Sequence, residues 1–395
     1  MKKIFLYYLC ISIILLYVQG CGVDTQSGNH DENDGDSFTF ENNDLVLNIT
    51  RVGGMLTGFY LKEKPVNPFS WMVSIDQMPE NNRPHVFAGH FLCTGRWGEP
   101  SEGEKQAGIP HNGEVNTTRW EITDSSATIE GNQRVIMTCE TAIEKLDVQR
   151  EILLPQKGGF FIVKEAFTNN LPIGRPVNFV QHGTIAPPFL DEYTIINTNA
   201  TSGFDQRDAI AGINENYFQW PDAILTDGQR VNLSNTNIPE GFVTTHIFPE
   251  QQNIGWVTAY NVKENILFGY VFKTEDYPWF NFWHHTVNGS PYVKGLEFGT
   301  TGIGKPYHEL LLKDSRFMNK NSFTYIDAAE VISKTWLCFQ ILPDKPIGQV
   351  AQIQLTDKLY IHTLEVDGLP GKTIHLELGA ELLSFFHNSP VSLAQ

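Results

Sequence analysis

Three stretches of this 395-residue sequence set proton-handling side chains beside apolar runs. The first, GRWGEPSEGEKQAGIPHNGEV (95–115), carries Arg96, Trp97, His111 and four glutamates, Glu99, Glu102, Glu104 and Glu114. It has no apolar period of a helix or a strand, so it reads as a long polar loop. In the second, PVNFVQHGTIAPPFL (176–190), His182 follows an apolar run and precedes Gly183 and a proline pair. The third, WFNFWHHTVNGSPYVKGLEFGTTGIG (279–304), embeds Glu297 between Leu296 and Phe298 with glycines on either side. A carboxylate in such surroundings is costly unless paired or neutralised. Glu297 is therefore the strongest candidate for a tuned acid or base, and histidine titrates nearest neutrality. Each residue also has a plainer reading: Glu99, Glu102 and Glu104 as solvated loop charges, His182 as a hydrogen-bonded structural histidine.

Strand signals dominate the rest of the chain. LVLNI (45–49), RVIMTCETAI (134–143), GFFIVKEAF (159–167), WVTAY (256–260), ILFGYVF (266–272), TWLCFQIL (335–342) and TIHLEL (373–378) are rich in β-branched and aromatic residues. All are bounded by turn formers. TIHLEL alternates, with Ile374, Leu376 and Leu378 on one face and His375 and Glu377 on the other. No long amphipathic helix is present; DAAEVIS (327–333) has the composition for a turn or two. The pattern predicts an all-β, large antiparallel β-sandwich. No Pro/Ser-rich linker divides residues 38–395, so one main domain is expected. A small C-terminal strand module after Pro343 stays open as an alternative, without a boundary signal to support it.

The N-terminus has the pattern of an export signal. Lys2 and Lys3 precede an apolar run from Ile4 to Val18, followed by Gln19, Gly20 and Cys21. The run is too short to span a bilayer. Residues 1–20 resemble a bacterial lipoprotein signal, which implies lipidation of Cys21 and a lipid-anchored protein of the cell envelope. Residues 21–37 are polar and acidic and predict a flexible tether. Cys93, Cys139 and Cys338 are widely spaced, so neither a disulfide framework nor a CxxC metal site is built in. The formal charge of −17 disfavours nucleic acid and anionic membrane surfaces as partners. His85, His90, His111 and His182 lack the close pairing of a metal motif, and adjacent His284 and His285 would face opposite sides of a strand. No metal or cofactor is expected.

In order and spacing, the three polar blocks resemble the galactose mutarotase-like superfamily, whose prototype is aldose 1-epimerase. The matching features are Arg96, IPHNGE (109–114) with His111, RPVNFVQHG (175–183) with His182, and VKGLEFGTTG (293–302) with Glu297. FQWPDA (218–223) resembles an aromatic-proline segment of that family. GFDQR (203–207) stands nearest to its Gly-Tyr-Asp-His segment, with Asp205 but no histidine. The resemblance implies a mutarotase-like super-sandwich and a mono- or oligosaccharide ligand, with no cofactor. It also implies a reaction, interconversion of sugar anomers. A base takes the anomeric hydroxyl proton, an acid protonates the ring oxygen, the ring opens, and it recloses on the other face.

On that reading Glu297 is the base and His182 the acid, placed on opposite sides of the ring. Arg96, His111, Glu114 and Asp205 meet hydroxyls or the developing oxyanion. Trp97, Trp220, Trp279 and Trp283 are candidates to stack on the sugar, core packing being the alternative for each. The Gly95–Val115 loop would then wall the mouth of a groove. Two other classes stay open. One is a non-catalytic carbohydrate-binding lipoprotein. The other is a polysaccharide lyase or hydrolase, for which Glu297 would need Asp205, Asp222 or Glu114 as a second carboxylate.

Overall fold

The β-branched and aromatic runs pair as antiparallel strands, and their apolar faces assemble two sheets. The computed structural model describes residues 36–208, 213–238, 241–287 and 290–387; the proposed signal, Cys21 and most of the tether lie outside the described residues. One sheet has twelve strands. In spatial order they are Ser37–Glu41, Leu45–Thr50, Leu56–Leu61, His90–Thr94, Phe179–Ile185, Ser290–Gly299, Trp279–Val287, Phe242–Ile247, Ser202–Asp205 and three short strands between Phe218 and Asn232. The second sheet has eight strands, with Ile266–Lys273, Val331–Ile341 and Phe160–Asn169 at its centre. The fold is thus the expected all-β sandwich.

Between the sheets lies an aromatic core that includes Phe59, Phe161, Phe179, Phe268, Phe298 and Trp336. A buried polar chain crosses it. Arg150 pairs with Glu165 at 2.7 Å, and both side chains are essentially inaccessible. Gln181 bonds to Glu165, and His90 joins Gln181 at 3.0 Å and Tyr270 at 2.8 Å. Buried polar networks of this kind hold strands in one arrangement. This one ties the two strands that carry His90 and Gln181 to the opposite sheet.

Three features depart from the sequence expectation. DAAEVIS is not helical: a turn with Ala329 at φ 58° leads into the strand Val331–Ile341, where Val331 pairs with Thr168. Cross-strand pairing overrides the local helical propensity of the two alanines. A short helix, Glu102–Gln106, sits inside the loop expected to have no regular structure. Finally, a C-terminal module exists: three strands (Gln349–Leu355, Leu359–Leu364, Pro370–Leu376) and the helix Gly379–His387. Val350, Ile353, Leu359, Leu382 and Phe386 pack it on Trp256, Leu267 and Leu337 of the eight-stranded sheet. The module covers part of that sheet's outer face and belongs to one compact unit with the sandwich.

The outer face of the twelve-stranded sheet is covered in two patches. Trp71, Met78 and Phe87 pack on Phe91, Cys93, Val180 and Val293, while Ile303, Leu310 and Phe317 pack on Phe204 and Trp279. A strand covered on both faces loses its polar alternation, so Phe179–Ile185 is buried at every position. Gln181, His182 and Thr184 are therefore buried polar groups rather than the solvated face of the strand.

Candidate functional site

Strand periodicity and register bring the site together. Along Phe179–Ile185, Phe179 and Ile185 face the core between the sheets, so Val180, His182 and Thr184 face the outer side. On Ser290–Gly299 the same logic sends Leu296 and Phe298 inward and Val293, Gly295 and Glu297 outward. Register pairs Val180 with Gly299 and Thr184 with Gly295, which sets His182 across from Glu297 on the neighbouring strand. His182 Nε2 lies 3.3 Å from Glu297 Oε1. On its other side His182 pairs with Phe91, whose ring stacks on the imidazole at 4.3 Å. Thr184 Oγ1, 2.9 Å from Nδ1, fixes the ring's orientation. Gly295 makes room for the carboxyl: a Cβ there would stand 2.6 Å from Glu297 Oε1.

The pair sits in a cleft of about 390 Å³ walled by Trp71, Met78, Phe87, Phe91, Trp97 and Trp283, with His111 and Asn112 at its edge. Mostly apolar walls with a few convergent polar groups are what small-molecule sites generally show. Both titratable groups are buried, and burial penalises their charged forms. It lifts Glu297 to about 8, against which the Trp97 indole N–H, 2.7 Å from Oε2, acts in the opposite direction. Burial likewise lowers His182 to about 3, with His90 and His111 contributing in the same sense. At neutral pH the pair is therefore a protonated carboxyl beside a neutral imidazole, not an ion pair. If Nδ1–H donates to Thr184, Nε2 is left as an acceptor facing the Glu297 proton.

The Gly95–Val115 loop is held by contacts that account for its composition. Ser101 caps the Glu102–Gln106 helix in a reciprocal capping box with Glu104, the S-x-x-E pattern that marks a helix start. Arg96 donates to both oxygens of Glu104 and lies over the Tyr307 ring. In IPHNGE, Asn112 takes a left-handed conformation at φ 64° and accepts from Gly98 N at 2.7 Å. Gly113 (φ 85°) has to be glycine, since a Cβ would collide with the Thr94 carbonyl. Glu114 accepts from the amides of Ala142, Ile143 and Glu144 at 2.8–2.9 Å. Buried Asn82 clamps His111, accepting from its N–H at 3.0 Å and donating to its carbonyl at 3.1 Å. The loop does wall the cleft, through Trp97 and His111.

His182, Glu297, Trp97, His111 and Trp283 thus converge, although Trp97 donates a hydrogen bond to Glu297 where stacking was expected. Five candidates do not line the cleft. The Arg96 guanidinium is consumed by Glu104, and the Glu114 carboxylate by backbone amides. Asp205 is bound by Arg207 at 2.6 Å and by Thr226 N at 3.0 Å. Trp220 packs against His246, Phe280 and Phe282 on the core side. Trp279 is likewise buried, against Phe317. Sequence reasoning missed Trp71, Phe87, Phe91, Thr184 and Asn82. The alternation V-x-H-x-T was the signal available for Thr184; the others enter only through tertiary contact. Among the described residues no three His, Cys, Asp or Glu side chains are grouped as metal ligands.

No protein-family model matches the sequence, and no curated protein is significantly similar to it. Solved structures do match. A galactose mutarotase-like protein from Clostridium acetobutylicum superposes with TM-score 0.57 at 13% identity, covering 78% of this chain and 95% of that one. A galactose mutarotase related enzyme from Lactobacillus acidophilus gives 0.54 at 12% identity, covering 78% and 99%. An aldose epimerase homologue from C. elegans gives 0.51 at 9% identity, covering 78% and 99%. The chain has the galactose mutarotase-like fold.

Proposed function

We propose that this galactose mutarotase-like chain binds a reducing sugar in the Glu297–His182 cleft and interconverts its anomers. The observation that carries the reading is the buried, uncharged donor–acceptor pair, Glu297 Oε1 and His182 Nε2, 3.3 Å apart on an aromatic floor. In a cyclic aldose the anomeric hydroxyl oxygen and the ring oxygen are bonded to the same carbon. An adjacent pair reaches both oxygens, and placement on opposite sides of the ring is unnecessary.

Burial also sets the direction of the first step. Neutral His182 accepts the anomeric hydroxyl proton while the Glu297 carboxyl donates its proton to the ring oxygen. The bond from anomeric carbon to ring oxygen breaks, and the carbonyl forms. Rotation about the adjacent carbon–carbon bond exposes the other face. Closure then returns the proton from the ring hydroxyl to Glu297 and gives the His182 proton to the new anomeric hydroxyl. This reverses the acid and base roles expected from the unperturbed side chains. Trp97 holds the carboxyl, Thr184 holds the imidazole, and Trp71 and Trp283 offer surfaces for the apolar face of the ring.

The two-carboxylate hydrolase reading finds little support, because Glu297 is the only carboxylate lining the cleft among the described residues. A non-catalytic sugar-binding role is the second reading, favoured by the engagement of both Glu297 oxygens with protein groups. Saturation-transfer NMR on equilibrating anomers separates the two. Catalysed exchange that Glu297→Gln abolishes supports the enzyme; sugar binding with no rate enhancement supports the binding protein. We also propose that Cys21 is lipidated and anchors the domain in the cell envelope. Mass spectrometry of the mature protein, with Cys21→Ser as control, tests this; an unmodified N-terminus overturns it.

A further inference from the structure

Beyond Trp283 the cleft does not end. A second depression of about 440 Å³ shares Val243 and Trp283 with it and continues along Gln206, Arg207, Gly241, Phe242, His284 and His285. Side chains on the outer face of the Trp279–Val287 strand become more accessible in this direction, from half-buried Trp283 to exposed His285. Their rings form a strip. Trp71 meets Trp283 edge-on at 5.6 Å, Trp283 lies nearly parallel to His285 at 6.2 Å, and His285 meets Tyr292 at 5.9 Å. Tyr292 reaches this face through a β-bulge: His285 pairs with Val293 and Thr286 with Pro291, which leaves Tyr292 unpaired. Bulges beside functional sites commonly re-aim a side chain, and Tyr292 remains 43% exposed.

The polar bank of this depression is Arg207. It is fixed by Asp205 at 2.6 Å and Asp227 at 3.3 Å, yet its side chain stays 43% exposed. Asp205, expected to touch ligand, instead positions this arginine.

We propose that the depression is a second glycosyl subsite, which takes the pyranose linked to a reducing-end sugar held in the cleft. This rests on the sugar reading of the cleft and names its substrate class: an oligosaccharide of at least two units. Trp283 is shared between the two units. His285 and Tyr292 present ring surface to the second, and Arg207 donates to its hydroxyls. The continuity of the two hollows through Trp283, and the ring strip leading out of the cleft, select this occupant over an unrelated surface ligand.

The experiment is isothermal titration calorimetry with glucose, galactose and mannose and with their β-1,4-linked disaccharides, on wild type and the His285→Ala/Tyr292→Ala double variant. A disaccharide binding about tenfold more tightly than its reducing-end monosaccharide, with that advantage lost in the double variant and monosaccharide affinity unchanged, supports the subsite. Equal affinity for monosaccharide and disaccharide overturns it while leaving the cleft reading intact. Parallel loss of both affinities in the double variant also overturns it, since the strip would then be supporting the cleft. Binding of none of these sugars removes the subsite and the sugar reading together.

Discussion

Replacing Glu297 by Gln should inactivate the site and stabilise the protein at the same time. In the unfolded chain this carboxyl ionises near 4.5, whereas in the folded chain burial holds it at about 8. Between those values the native state keeps a proton that the unfolded state has lost. The contribution of this group to stability must therefore fall as pH rises from 4.5 to 8 and level off above it. At about 1.4 kcal/mol for each tenfold change in acidity, the penalty accumulated by pH 8 is roughly 5 kcal/mol. Glutamine has nearly the same shape, still accepts from Trp97 and donates to His182, and carries no ionisation penalty. Urea unfolding at pH 5, 6, 7 and 8 gives the test. The variant and wild type should be within about 1 kcal/mol at pH 5 and diverge by several kcal/mol at pH 8, the variant being the more stable. Parallel stability curves would mean that Glu297 is already ionised at neutrality, and the proposed direction of proton transfer would fall with that result.

His182→Asn should lower the anomer-exchange rate by roughly 10²–10⁴-fold while changing KM only a few-fold; an unchanged rate would remove the imidazole from the chemistry. Trp97→Phe deletes the N–H donor that holds Glu297 down, so the carboxyl should rise above its present value of about 8. The alkaline limb of the pH–rate profile should then move upward, and a downward shift would contradict the contact. Glu114→Ala strands three backbone amides at residues 142–144. It should cost about 3 kcal/mol or more in denaturant unfolding, whereas a loss of sugar affinity at full stability would return Glu114 to the ligand site.

Much of this molecule was legible in local pattern. Runs such as GFFIVKEAF and ILFGYVF are too rich in β-branched and aromatic residues, and too tightly bounded by turn formers, to be anything but strands. Glu297 stood out because a carboxylate between Leu296 and Phe298 needs neutralisation, and burial does keep it protonated. The capping box of the Glu102–Gln106 helix was also written in the sequence, as Ser101 and Glu104, and was obscured by the surrounding glycines and prolines.

Tertiary structure alone decided who meets whom. Arg96 and Asp205 have the chemistry of ligand-binding groups, but Glu104 and Arg207 reach them first. Local composition cannot rank one intramolecular partner against another. His182 faces Glu297 because a register set by many cross-strand contacts places Val180 opposite Gly299. A slip of one residue would turn either side chain into the core. A strand's identity is encoded in its own residues, while its face and its neighbour are collective properties of segments far apart in the chain. Composition and spacing therefore supplied the proton-handling groups, and the packing of the two sheets chose which of them share a cleft.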